Sequence, residues 1–205
     1  MWYNIHDKPS APSLRQRRSV MLNAFNFRAA SFTGHRHFSE DEKAMVLEKL
    51  DVAVKYLIEE RDFRVFRTGG ALGFDTMAAY TILGYRHLYP DIRLELYLPC
   101  PDQARYWGDD DKKSYEYIKA HADKTIYTSE RYFSGCMHLR NRRLVTGTMI
   151  CVTYFRGGSE GGTAYTVDYA KRQGLEIINL CDLPNAKKHP SGFSDGGYID
   201  NWTIS

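Results

Sequence analysis

The stretch MICVTYFRGGSEGGTAYTVDYAKRQG, residues 149–174, decides the fold. Met149 to Tyr154 is apolar and β-branched, long enough for a buried strand and too short for a helix. Glycines at 157, 158, 161 and 162 then break the pattern. A helix opens at Gly161-Gly162 and closes at Gly174, a residue suited to the left-handed position after a helix. Leu175 to Leu180 supplies the next strand. Strand, glycine loop, helix and strand together make one βαβ unit.

Working outward, the same alternation runs from Phe27. Phe27 to Phe32 predicts a strand ending at Thr33-Gly34. Ser39 and Glu42 form an S-x-x-E capping box for the helix that follows, with Leu47, Leu50, Val54, Leu57 and Ile58 as its apolar face. Phe63 to Arg67 predicts a second strand, and a helix from about Asp75 to Tyr89 stops before Pro90. Ile92 to Leu98 is a strand. Lys112 to Ala120 is a helix behind the acidic start Asp109, Asp110 and Asp111. Thr125 to Tyr127 is a short strand and Leu139 to Val145 a helix. The expected architecture is α/β, a Rossmann-like three-layer sandwich with a mostly parallel central sheet. It spans residues 27–182, with tails at 1–26 and 183–205. Right-handed crossovers put every strand-to-helix loop on one rim, where open α/β sheets bind their ligands.

Composition narrows the function classes. The chain is 43% hydrophobic and 26% charged, ordinary globular values. The formal charge of +3 is carried by the first 26 residues, where Lys8, Arg15, Arg17 and Arg18 face only Asp7. The remainder is balanced, which argues against a strongly basic nucleic-acid groove. That leader shows no apolar core of a secretory signal, and Met21 is a candidate alternative start. No apolar run approaches the length of a membrane span. Cys100, Cys136, Cys151 and Cys181 are far apart and form no CxxC pair. Free thiols in a cytoplasmic protein are expected, with no metal site.

The unusual residues fall in the rim loops. Thr33-Gly34-His35-Arg36-His37 follows the first strand and offers a hydroxyl and several donors to an anionic ligand. Gly69-Gly70-Ala71-Leu72-Gly73-Phe74-Asp75 follows the second, with three glycines ahead of a helix. Asp75 there reads either as a cap of that helix or as a hydrogen-bond acceptor for ribose. The third loop, Arg156 to Thr163, is the best phosphate cradle, with Gly158, Gly161, Gly162 and Thr163 at a helix start. None of the three spells G-x-G-x-x-G or G-x-x-x-x-G-K-[ST]. Trp107 reads as a stacking ring or as packing, and Arg140-Asn141 as phosphate ligands or as helix surface. No nucleophile–base set is visible. Asp75 and Glu160 are the carboxylates available for cleavage of a glycosidic bond.

The ordered set T-G-H-R (33–36), G-G-A-L-G-F-D (69–75), P-x-x-x-Q-x-x-x-W (99–107), R-N (140–141) and G-G-T (161–163) resembles the YpsA-like branch of the bacterial SLOG superfamily. That superfamily includes the DprA/Smf DNA-processing proteins and the LOG phosphoribohydrolases. The resemblance covers about residues 30 to 180. It implies a Rossmannoid sheet whose glycine loops bind a nucleotide or nucleotide-derived ligand, and it allows a homodimer. The motif positions it carries over are Thr33, Gly34, His35, Arg36, Gly69, Gly70, Gly73, Asp75, Trp107, Arg140, Asn141, Gly161, Gly162 and Thr163. The chain departs from the branch at Leu144-Val145-Thr146, where many relatives read M-V-D. It departs from the LOG motif P-G-G-x-G-T-x-x-E in reading G-G-S-E-G-G-T-A-Y-T.

Three functions follow as expectations. The first is binding of a phosphate- and ribose-bearing ligand, a nucleotide or an ADP-ribose-like molecule, by a sensor or regulatory protein. The second is hydrolysis or transfer at an N-glycosidic bond of a nucleotide. The third is single-stranded DNA binding in the manner of the DprA relatives, disfavoured by the neutral body.

Overall fold

A computed structural model of the chain describes residues 28–184; the N-terminal tail, with Met21 and the arginine cluster, and residues 185–205 of the C-terminal tail lie outside them. Six strands alternate with five helices: β1 (Arg28–Gly34), α1 (Glu40–Glu59), β2 (Phe63–Thr68), α2 (Phe74–Tyr85), β3 (Arg93–Leu98), α3 (Asp109–His121), β4 (Lys124–Tyr127), α4 (Cys136–Val145), β5 (Ile150–Tyr154), α5 (Gly161–Arg172) and β6 (Glu176–Asn179). Every pairing is parallel, in the order β4-β3-β2-β1-β5-β6. The sheet of the Rossmann-like fold is thus wholly parallel, beyond the mostly parallel one expected.

The order fixes the layers. From β1 the chain steps one way to β4, then crosses back to lay β5 on the other side of β1. With right-handed crossovers, α1, α2 and α3 cover one face and α4 and α5 the other. The packing agrees, since α1 touches α2, α2 touches α3, and α4 touches α5. The direction reverses between β1 and β5, and a crevice forms at the carboxyl ends of strands flanking such a point.

The two faces differ in depth. Phe32, Phe63, Phe66, Phe74, Leu50 and Leu57 are fully buried within one large cluster. Burying each contributes roughly 1.5–3 kcal/mol. A second cluster, under α4 and α5, has only Val145, Cys151 and Ala170 as its buried members.

Local details refine the expectations. The capping box is present: the Ser39 N–H donates to Glu42 Oε2 at 3.0 Å and the Glu42 N–H to Ser39 Oγ at 3.3 Å. In α1 the buried stripe runs through Val46, Leu50, Val54 and Leu57, while Leu47 is 42% exposed. Lys49 shares the buried side and escapes at its tip, donating to the Leu183 carbonyl at 2.7 Å. Helix α2 stops at Tyr85, and residues up to Tyr89 form a separate turn in which the Tyr89 N–H returns to the Tyr85 carbonyl. The four cysteines are free, and Cys100, Cys136 and Cys151 are buried. No helix among the described residues is long and apolar enough to cross a membrane.

Candidate functional site

Strands β1 and β5 run side by side with Thr33 opposite Thr153 and Gly34 opposite Tyr154. The loops that leave them are tied together. The backbone N–H of Arg156 donates to His35 Nε2 at 3.2 Å, and Thr163 Oγ1 donates to the Gly34 carbonyl at 2.9 Å. His35 is therefore a neutral acceptor with its proton on Nδ1. Burial and the nearby Arg156 charge hold its imidazole below the usual value, with Glu42 opposing. The Arg156 side chain turns away over Phe38 and Tyr154 and pairs with Glu42 at 2.9 Å.

The loop after β2 is closed rather than open. A β-carbon on Gly69 would lie 1.4 Å from Arg140 Nη1, and one on Gly73 2.4 Å from the Arg36 carbonyl oxygen. Gly34 is pressed on the Phe74 ring in the same way. Asp75 accepts the Gly69 and Ala71 N–H groups at 3.1 and 3.3 Å and pairs with Arg140 at 3.5 Å. It thus folds its own loop, and Gly73 takes the N-cap position of α2. Burial pushes the Asp75 carboxyl up, against the pull of Arg140 and these two N–H groups. Gln103 seals the loop from β3 by donating to the Gly70 carbonyl at 2.6 Å.

The third loop is open. Gly157, Gly158 and Gly161 take φ of +95°, +107° and +94°, and a β-carbon there would meet nothing within 4 Å. Glu160 caps α5 through its backbone alone, so the first N–H groups of the helix have no side-chain acceptor. Asn141 Nδ2 donates to the Gly162 carbonyl at 3.3 Å and holds the helix start in place.

A cleft of about 820 Å³ opens beside this loop, at the β1–β5 reversal. Of the expected site residues, Arg36, Asn141, Gly158, Gly161 and Gly162 line it. Thr33, Gly34, His35, Thr163, Gly69, Gly70, Ala71, Gly73, Asp75 and Arg140 are not on its wall and form the scaffold behind it. Glu160 is exposed at the N-cap of α5. Trp107 is elsewhere: it packs edge-on against Tyr115, ring centroids 5.3 Å apart, beside β3 and two strands from β1. Met137, His138, Phe155, Ser159 and Tyr165 also line the cleft, and the motif reading missed them. A helical signal was present around His138 and Tyr165, but nothing in either segment says that they meet. Among the described residues no three His, Cys, Asp or Glu side chains gather as a metal-ligand set.

The arrangement is suited to holding an anion. Uncapped N–H groups, a helix dipole and the exposed Arg36 all favour negative charge at one end of the cleft. Its chemistry for bond cleavage is sparse. Asp75 is buried and paired, and buried Thr166, whose hydroxyl donates to the Gly162 carbonyl at 2.6 Å, stands where the LOG motif has its glutamate.

UPF0398 proteins of Bacillus cereus (strain B4264) and Bacillus thuringiensis (strain Al Hakam) are each 27% identical over 112 residues, 54% of this chain. The chain spans 60% of the length of these curated relatives. Among solved structures, DNA processing protein A (DprA) from Streptococcus pneumoniae superimposes with a TM-score of 0.52 at 16% identity, over 76% of this chain and 51% of that one. DNA processing protein A from Helicobacter pylori, described for its single-stranded DNA binding mode, gives 0.53 at 16% identity, over 84% and 73%. These likenesses show the fold. The YpsA family model, described as the YspA SLOG family, matches residues 31–179, and the chain belongs to that family.

Proposed function

We propose that the protein binds a nucleotide-type ligand, bearing phosphate and ribose, in the cleft beside α5, and that it acts as a sensor or regulatory protein. The observation that carries this reading is the open loop from Gly157 to Gly162. Its left-handed glycines leave open space, its helix start has no side-chain cap, and Arg36 lines the same cleft. The contrast with the loop after β2 strengthens it, because there the missing β-carbons are filled by protein. Binding without turnover is favoured, since Asp75 is committed to its loop and to Arg140.

A thermal-shift screen with nucleoside monophosphates, ADP-ribose and NAD, with chromatography of every hit, tests this. Stabilisation by a ligand recovered intact is the expected result. Release of free base would replace the sensor by an N-glycosidic enzyme, and no shift with any of them removes the reading.

One observation favours single-stranded DNA binding as a second reading. The loops after β3 and β4, adjacent on the same rim, expose Tyr106 (89%), Tyr132 (65%) and Phe133 (46%). Arg105 lies over the Tyr106 ring, and Arg131 precedes Tyr132. A shallow depression of about 350 Å³, lined by Pro101, Tyr127, Thr128, Ser129 and Glu130, lies between them. Alternating rings and guanidinium groups suit stacked bases and phosphates. The structural neighbour from Helicobacter pylori has such an activity. Retardation of labelled oligo-dT, lost in Tyr132→Ala with Phe133→Ala, supports it, and no retardation at low salt rejects it.

A further inference from the structure

We propose that His138, Tyr165 and Phe155 form a separate subsite of the cleft that takes a heterocyclic base, one helical turn from the phosphate cradle. The inference rests on the nucleotide reading above and assigns the other end of the same ligand.

Three rings from three elements line this wall, with the Phe155 ring centroid 6.0 Å from that of His35. His138 comes from α4, Tyr165 from α5 and Phe155 from the residue after β5, and all three line the cleft. The His138 ring stands edge-on to Tyr165, centroids 4.3 Å apart and planes at 65°. Hydrogen bonds support two of the three positions. Arg142 Nη1 donates to the Tyr165 hydroxyl at 3.2 Å, which sets the ring direction from outside the cleft. Phe155 is pinned through its backbone: its N–H donates to Asn179 Oδ1, and its carbonyl accepts from Asn179 Nδ2, both at 3.0 Å. The Tyr165 hydroxyl and the Phe155 backbone are thus held before a planar guest docks, which limits the ordering entropy lost there.

The spacing selects the guest. Tyr165 lies four residues beyond Gly161, about 6 Å along the helix axis. A ribose bridges such a gap between a 5′-phosphate and its base. The cleft is also far larger than a bare phosphate needs, and falls in the size range of pockets for whole small molecules. An aromatic wall beside a cradle for anions matches a nucleoside monophosphate better than a sugar phosphate, which has no flat face to offer these rings.

Calorimetric titration of the full chain with ribose 5-phosphate and with AMP, GMP, CMP and UMP tests the subsite. At least one of the four nucleotides is expected to bind about tenfold or more tightly than ribose 5-phosphate. His138→Ala, at an exposed position, and Tyr165→Ala should bring that nucleotide to the level of ribose 5-phosphate while leaving ribose 5-phosphate unchanged. Tyr165→Phe, which keeps the ring, should retain most of the preference. Ribose 5-phosphate binding as tightly as every nucleotide, or a preference that survives His138→Ala, overturns the base subsite and leaves the cradle standing. Failure of all five probes overturns the cradle as well.

Discussion

Asp75 and Arg140 form an ion pair that joins the two helical layers across the rim of the sheet. Asp75 stands in the first turn of α2 and Arg140 in the middle of α4, with 3.5 Å between Oδ2 and Nη1 and both side chains nearly inaccessible. Arg140 Nη1 also fills the place that any side chain on Gly69 would need. Arg36, on the cleft wall, is close enough for its charge to act on both members.

Removing one partner should be costly. Arg140→Met leaves the Asp75 carboxylate buried without its ion-pair partner, and the unfolding free energy should fall by about 3–5 kcal/mol. Adding Asp75→Asn should recover part of that loss. Urea denaturation of the two variants measures both, and a single variant as stable as the wild type would deny the pair its role.

Glycines of the two loops should behave oppositely. Gly69→Ala and Gly73→Ala overpack the closed loop and should destabilise the fold by at least about 1–3 kcal/mol. Gly162→Ala needs no left-handed backbone and meets only Asn141 Nδ2, at an ordinary 3.7 Å, so melting should change little while nucleotide affinity drops more than tenfold. Melting curves and calorimetry on the three variants separate the cases.

Arg36→Ala should weaken phosphate-bearing ligands by about tenfold, the loss of one charge-assisted contact. The remaining affinity should depend less on salt than that of the wild type. Titration at two ionic strengths reads both effects, and an unchanged affinity would place the anion elsewhere.

Acid should loosen the link between the β1 and β5 loops. The folded state holds the His35 imidazole below its free value, chiefly through burial and then through Arg156, with Glu42 opposing. The unfolded chain then binds more protons between that lowered value and the free value of about 6.5. Stability contributed at His35 is present above about 6.5 and is lost as pH falls through the folded value. Urea midpoints at pH 7.5 and 5.5 should fall further in the wild type than in His35→Gln.

Native thiols should resist alkylation. Burial pushes Cys100 up to about 11 and Cys151 up to about 12, and it raises half-buried Cys181 as well. Iodoacetamide at pH 8 should label the folded protein slowly, with Cys181 modified before Cys100 and Cys151, and all four thiols once urea is added. Fast labelling of Cys151 in the native state would mean that β5 opens readily.

Much of the fold is legible in residues 149–174, because an apolar strand, a glycine break and a helix closed by Gly174 admit few arrangements. The rim loops are legible for the same reason: glycine and polar residues fall just where strands end. What a glycine is for is not. Gly69 and Gly158 look alike in sequence, yet the first makes room for Arg140 and the second for solvent or a ligand. Trp107 carries the same ambiguity, and its partner Tyr115 lies in the next helix. The aromatic wall was hidden by topology. His138 and Tyr165 are neighbours because α4 and α5 share a face of the sheet, a fact set by the crossover from β4 to β5 and absent from either helix alone.

The thin apolar cluster beneath α4 and α5 has a dynamic consequence. Val145, Cys151 and Ala170, with Leu144, Ala164 and Val167 also buried on these helices, make a smaller apolar anchor than the phenylalanines of the opposite layer. Amide hydrogens of α4 and α5 should therefore exchange through partial openings that leave the other layer closed. The cleft lies on the half of the molecule where such openings are expected, and a guest bridging Gly161, Asn141 and His138 would act as a clasp on it. Occupancy would then be broadcast as a change in the motion of one face, with the sheet beneath it unmoved.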